Sequence, residues 1–366
     1  MSQLYIGLMS GTSIDGIDAA LVDFADTSPR LISTHCHPWP GQLHQALLES
    51  RKLPDDALGS LDALDNQTGN IFAQAANQLL EKAGVRPDEV IAIGSHGQTI
   101  RHRPDTVQPF SLQIGNAEVI AQQTGIDVVS DFRTADIAAG GQGAPLAPAF
   151  HAAVFKSEQE HLSVINIGGI ANLTLLPGDT ANITGFDSGP GNGLMDAWIH
   201  KINGLSYDRD GDWARCGQVN ETLLADLLED HYFSLPPPKS TGFEYFNLNW
   251  LESYRIRALR ADDVQATLCE LSARSIALAI KQYAAQTQKI LICGGGAHNR
   301  HLMTRLGENL PGYAIASTEV SGVHPDWVEA MAFAWLAKQT IHQLPGNLPS
   351  VTGAHQAVVL GTITRH

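Results

Sequence analysis

Three glycine-rich loops carry residue types that could handle phosphate. The first runs Gly11-Thr12-Ser13-Ile14-Asp15-Gly16-Ile17-Asp18. It offers backbone N–H groups, two hydroxyls and two carboxylates in one tight turn, a set able to cradle phosphates and to hold a hydrated Mg²⁺ through Asp15 or Asp18. No Gly-Lys-Ser/Thr follows, so the cradle would be a hairpin and not a loop entering a helix. Taken alone, the same residues read equally well as an ordinary Asp-Gly hairpin turn. Asn166-Ile167-Gly168-Gly169-Ile170-Ala171-Asn172 and Gly294-Gly295-Gly296-Ala297-His298-Asn299 add two places where backbone can approach a ligand closely. Three such loops on an α/β chain suit a nucleotide clamped between domains.

Other groups could serve a second substrate. Gly185-Phe186-Asp187-Ser188-Gly189-Pro190-Gly191-Asn192 precedes the helical pattern of residues 194–199, which puts Asp187 on a loop just ahead of a helix N-terminus, where an ionised carboxylate is favoured. A cap or turn role is the plain alternative, and Asp196 reads as a supporting or surface carboxylate. Gly94-Ser95-His96-Gly97-Gln98-Thr99 follows a strand pattern and gathers imidazole, amide and hydroxyl at its C-terminal end, where ligands of open sheets collect. A hydrogen-bonded structural histidine fits the same pattern. Arg133, in Asp131-Phe132-Arg133 after the apolar residues 126–129, could fork onto a substrate carboxylate or a neighbouring Asp. His35 and His37 share a strand face, but no further ligands converge, which favours a surface pair over a metal site.

The elements that must position these groups repeat. Residues 4–9 and 17–24 read as a β-hairpin around the first loop, and 162–167 with 173–176 repeat that plan around the second. Two copies of one domain type follow. Helical spacing over 58–83 closes at Gly84 and leads to a strand at 90–94; an amphipathic helix over 264–285 leads to a strand at 289–293. A helix over 327–338 carries Glu329 in its first turn. Gly140-Gly141-Gln142-Gly143-Ala144-Pro145 interrupts the patterns, so a hinge near 138–148 divides the chain into domains 1–140 and 141–366.

Composition sets the frame. The 366 residues, 43% hydrophobic and 17% charged, suit a globular protein of two domains. A net charge of −15 argues against a nucleic-acid partner. Four scattered cysteines without a C-x-x-C spacing read as reduced thiols. No leader pattern and no run of about 18 apolar residues occurs, so the expectation is a cytoplasmic protein with no membrane partner.

The chain resembles the anhydro-N-acetylmuramic acid kinases, of the actin, hexokinase and Hsp70-like ATPase superfamily. The matching text is Gly7-Leu8-Met9-Ser10-Gly11-Thr12-Ser13-Ile14-Asp15-Gly16, Gly94-Ser95-His96-Gly97-Gln98-Thr99, Asp131-Phe132-Arg133, the 140–146 segment, Asn166 to Asn172, Asp187 to Asn192, Cys293-Gly294-Gly295-Gly296 and Gly346-Asn347-Leu348-Pro349-Ser350-Val351-Thr352-Gly353. The blocks keep their order over essentially the whole chain and are peculiar to this family among sugar kinases. One departure is Thr134-Ala135, where the family pattern has two arginines, which puts a charge role there in doubt.

The resemblance implies an α/β fold of two ribonuclease H-like, actin-like ATPase domains flanking an interdomain nucleotide cleft, with ATP and Mg²⁺ as cofactors. It implies a homodimer that acts on a small amino sugar in cell-wall recycling. Water would open 1,6-anhydro-N-acetylmuramic acid while O6 takes the γ-phosphoryl group, with Asp187 as the base. Gly11, Thr12, Ser13, Ile14, Asp15, Gly16, Ile17 and Asp18 would hold the β- and γ-phosphates, Gly168 and Gly169 a second phosphate turn, and Gly294, Gly295, Gly296 and Asn299 the adenosine. His96, Gln98, Thr99 and Arg133 would contact the sugar, with Glu329 as a further sugar contact or a plain first-turn acid. Two rival readings are an ordinary sugar or acetate kinase acting on a free hydroxyl, and a non-catalytic ATP switch of the actin or Hsp70 type.

Overall fold

The structure, a computed structural model, describes residues 2–11, 13–104, 106–158, 160–178 and 183–366. It divides into two compact units, Met1–Val154 with Trp327–His366, and Phe155–Asp326.

In the first unit β1 (Leu4–Met9), β2 (Ile17–Asp23) and β3 (Arg30–His37) form an antiparallel meander. β4 (Val90–Ser95) pairs parallel with β1. β5 (Gln98–Arg103) and β6 (Phe110–Ile114) make a separate two-stranded ribbon, and β7 (Val128–Ser130) pairs parallel with β4. The Asp62–Ala83 helix covers one face with Phe72, Ala76 and Leu79, and it stops at Gly84, whose φ of 66° is left-handed. It starts later than its apolar spacing suggests because residues Asp55–Ser60 form a separate 3₁₀ turn.

In the second unit β8 (Leu162–Ile167), β9 (Ile170–Leu176) and β10 (Thr184–Pro190) repeat the meander. β11 (Lys289–Cys293) lies parallel to β8, and β12 (Ala314–Ser317) parallel to β11. Both sheets therefore carry an antiparallel meander of three strands, a fourth parallel to the first, and a fifth beyond it. This is the ribonuclease H-like order, present twice, and helices make the parallel crossovers. The Ala261–Tyr283 helix is buried on every side from Val264 to Ala273, not amphipathic as its sequence suggests. Its Glu270 is satisfied by Arg305, Arg274 and Asn309.

The expected boundary at 140/141 does not hold. After residue 326 the chain returns to the first unit: β13 (Thr362–Thr364) pairs with β7, and the Val328–Ile341 helix packs on β1 and β4. Gly7 and Gly94 permit that contact, since a Cβ at either would lie 1.8 Å from the Ala330 carbonyl oxygen or 2.0 Å from that of Phe333. Nor is the 140–145 segment loose. The fully buried Asp136 carboxylate accepts from the Gly143 N–H, the Asn347 amide and the Thr352 hydroxyl, each at 2.7 Å, and Gln142 N–H donates to the Thr352 carbonyl at 2.8 Å.

Candidate active site

The hairpin between β1 and β2 is held at its neck and its tip. Ser10 Oγ lies 2.8 Å from both the Gly16 carbonyl and Gln98 Oε1, and Gln98 Nε2 donates to the Gly11 carbonyl at 3.1 Å. Ile14 sits at φ 59°, costly for a β-branched residue, with its side chain buried in the core. Burying that side chain contributes about 1.5–3 kcal/mol, enough to offset a left-handed backbone costing about 1–2 kcal/mol. Ile14 and Ile17 thus anchor the turn, in which Ser13 and Asp15 are exposed and Asp18 is half-buried. Thr12 lies outside the described residues. Asp18 and Asp15 both raise the Cys36 thiol, which burial and these carboxylates push up to about 11. The two acids are hard oxygen donors of the kind Mg²⁺ takes. Among the described residues no three His, Cys, Asp or Glu side chains gather as a metal group; His35 and His37 contact each other and Gln78.

Gln98, expected to contact the sugar, reaches the hairpin. It is fully buried and both ends of its amide serve the hairpin, so it braces the turn. Thr99 accepts from the Gln113 amide at 3.2 Å. His96 and Arg133 do come together: Arg133 Nη2 donates to His96 Nε2 at 3.0 Å, and Nη1 donates to the Gly143 carbonyl at 2.9 Å. Burial and the adjacent guanidinium hold His96 down at about 3, so the ring is neutral in ordinary buffers. Burial also draws Arg133 down to about 10, opposed by Glu329 and Asp136, and it stays cationic. Its Nε is buried with no hydrogen-bond partner among the described residues. Glu329, in the first turn of its helix, is exposed. Asp136, which fixes Gly143 and through it Arg133, escaped the sequence reading because its partners Asn347 and Thr352 lie far along the chain.

In the second unit Asp187 lies within β10, not on a loop at a helix end. Antiparallel pairing with β9 persists through Phe186↔Leu173 and Asp187↔Asn172, and only then shifts register before Gly189. The Asn172 amide donates to Asp187 Oδ1, and the Thr241 N–H donates to Oδ2 at 2.9 Å. Burial pushes the carboxyl up to about 6; Thr241, Asn172 and Lys239 act against that rise, and Glu244 adds to it. Burial thus favours the protonated acid, while the Thr241 N–H, the Asn172 amide and Lys239 favour the ionised form.

The Gly168–Gly169 turn is tighter than expected because β9 starts at Ile170. Its two carbonyls accept from Asn192 at 2.7 Å, Gly191 at 2.9 Å and Gly193 at 3.1 Å, so it seats the start of the Gly193–Asn203 helix. The Phe243 ring lies where a Cβ on Gly169 would project, 2.4 Å away. After β11, Gly294 and Gly296 pack against Asn166 and Ile167, whereas a Cβ on Gly295 would meet only Asn192 Nδ2 at 3.8 Å. Asn299 is spent as a helix cap, its Oδ1 accepting from Leu302 N–H at 3.0 Å. A cavity of about 310 Å³ follows it, lined by Asp210, Arg215, Arg300 and His301; a larger one, about 600 Å³, lies against Leu205, Tyr207 and Trp213. Neither is lined by Asp187.

Each unit carries a ribonuclease H-like sheet with glycine turns after its strands, a fold that hosts many activities and does not by itself assign one. Residues 3–366 match the anhydro-N-acetylmuramic acid kinase family, and the chain belongs to it. An anhydro-N-acetylmuramic acid kinase of Nitrosomonas europaea is 50% identical over 363 residues, covering 98% of this chain and 99% of its own. That of Shewanella oneidensis is 50% identical over 359 residues, covering 98% and 97%. The protein is a kinase, which sets aside the non-catalytic switch. No helix among the described residues is long and apolar enough to cross a membrane.

Proposed function

We propose that this kinase uses ATP and Mg²⁺ to open 1,6-anhydro-N-acetylmuramic acid with water and to phosphorylate O6, giving N-acetylmuramic acid 6-phosphate and ADP. In an anhydro sugar O6 is tied to C1, so the ring must open before or as phosphate is transferred, and that step needs a base. The observation that carries the reading is Asp187: a buried carboxylate raised to about 6 is ionised at neutral pH yet basic enough to take a proton. Its proton comes from water; the water oxygen bonds to C1, the C1–O6 bond breaks towards O6, and O6 attacks the γ-phosphorus in line.

The Gly11 to Asp18 hairpin would hold the β- and γ-phosphates, with Gln98 bracing it from beneath. Mg²⁺, held through water by Asp15 or Asp18, would offset charge on the phosphates. Gly168, Gly169 and the open face of Gly295 would serve the nucleotide in the second unit, with Gly294, Gly296 and Asn299 shaping the adenosine side beside the 310 Å³ cavity. His96, Thr99, Arg133 and Glu329 would face the sugar, the orphaned Arg133 Nε suiting a lactyl carboxylate. We place the enzyme in the cytoplasm as a homodimer.

Incubation with Mg-ATP and the anhydro sugar in ¹⁸O-labelled water tests the reaction. The expected product is a sugar 6-phosphate labelled at C1 and unlabelled in its phosphate. Unchanged anhydro sugar beside phosphorylation of a free 6-hydroxyl sugar would favour the ordinary kinase instead.

A further inference from the structure

The inference rests on Asp187 acting as the base for water. Residues 239–241 grip Asp187 twice: the Lys239 carbonyl accepts from its N–H at 3.0 Å, and the Thr241 N–H donates to its Oδ2 at 2.9 Å. The segment is itself tied down. Lys239 Nζ donates to the Tyr232 carbonyl at 3.1 Å and lies 4.7 Å from the centre of the Tyr232 ring, while the Tyr232 hydroxyl donates to the Asp187 carbonyl at 2.9 Å. Thr241 is thereby fixed beside the carboxylate.

Its side-chain hydroxyl is the unexplained group. Thr241 Oγ1 is buried and has no hydrogen-bond partner among the described residues. Leaving a buried hydroxyl unpaired costs roughly 1–3 kcal/mol, and buried polar groups of this kind are ordinarily met by an ordered water. Asp187 has matching capacity. Each carboxylate oxygen accepts from one protein donor, the Asn172 amide or the Thr241 N–H, and keeps a further lone pair.

We infer that Thr241 is the positioning residue for the attacking water. Asp187 accepts one of the water's O–H groups and Thr241 Oγ1 accepts the other, which leaves an oxygen lone pair free for C1. In the step the first proton passes to the Asp187 carboxylate, the water oxygen forms its bond to C1, and the C1–O6 electron pair goes to O6. Thr241 keeps its own proton throughout and restricts the orientations open to the water.

Thr241→Val removes the hydroxyl and keeps the backbone N–H that grips Asp187. The expected result is a kcat lowered about 10–100-fold with both KM values within about threefold, and recovery in Thr241→Ser to within about threefold of the parent. A fully active Thr241→Val overturns the inference. So does a raised sugar KM at unchanged kcat, which would make the hydroxyl a ground-state sugar contact, and so does equal loss in the Val and Ser variants, which would make it structural. Asp187→Asn assayed alongside separates the levels: if it is active, the base reading itself fails, whereas an inactive Asp187→Asn beside an active Thr241→Val removes only the role of Thr241.

Discussion

The two units share a strand order but use burial in opposite ways. In the first, burial drives two basic groups down, His96 to about 3 and Arg133 to about 10, so that neither changes charge across the usual range of buffers. In the second, burial drives one acid up, Asp187 to about 6, into the range where it does change. Under the proposed function this difference is a division of labour: the first unit presents a fixed pattern of one cation and one neutral ring, suited to recognition, and the second holds the group that exchanges a proton.

Asp187→Asn should break the comparison most severely. The loss of a base predicts a kcat about 10²–10⁴-fold lower in a steady-state phosphotransfer assay. Stability should move the other way. Because the folded-state pKa is raised from 3.8 to about 6, the native state binds the proton more tightly than the unfolded chain. The parent is therefore most stable below about pH 4 with respect to this group, and loses roughly 2–3 kcal/mol as pH rises to about 6 and beyond. The variant lacks that loss, so it should melt above the parent at pH 8, and an equal melting temperature there would mean that Asp187 is not held in a desolvated site.

The next effect tests what keeps the first unit's pattern fixed. Asp136→Ala strands the Gly143 N–H, the Asn347 amide and the Thr352 hydroxyl in a buried setting. About 3 kcal/mol of stability should go, read as an earlier midpoint in urea unfolding, because hydrogen bonds to a buried carboxylate are worth about 1.5–3 kcal/mol each and are not additive. Unchanged stability would show that the 140–145 segment does not depend on this carboxylate.

Asp136 also marks where the sequence stopped being legible. Strands with clear apolar patterns, the repeated hairpin and the stop at Gly84 all follow from local chemistry, and the doubling of the domain type is legible in them. Asp136 and Gln98 could not, because their partners come from distant segments and a lone Asp or Gln carries no local sign of them. The return of residues 327–366 to the first unit was hidden for the same reason. The place of Asp187 is obscured differently: Gly185, Gly189 and Pro190 look like a loop, yet strand pairing with a register shift tolerates them.

A smaller effect sharpens the contrast between the two units. Over pH 4.5–8 the parent kcat/KM should lose about tenfold per unit below about pH 6, the limb belonging to Asp187. His96→Gln should raise the sugar KM about tenfold through a lost hydrogen-bond group while leaving that limb in place, since His96 does not titrate in this window. A limb that moves in the His96 variant would assign the titration to the first unit and reverse the division of labour.

The smallest expected effect is at Gly169, measured against the close approach at Gly7 in the other sheet. A Cβ at Gly169 meets the tip of Phe243, an exposed side chain that can swing away, whereas a Cβ at Gly7 meets the Ala330 backbone, which cannot. Gly169→Ala should therefore cost less than about 1 kcal/mol in urea unfolding, and Gly7→Ala at least about 3 kcal/mol, the size of an overpacked core. If Gly169→Ala proved as costly as Gly7→Ala, Phe243 would be a fixed part of the second unit's turn, and a phosphate could not reach Gly169 by displacing it.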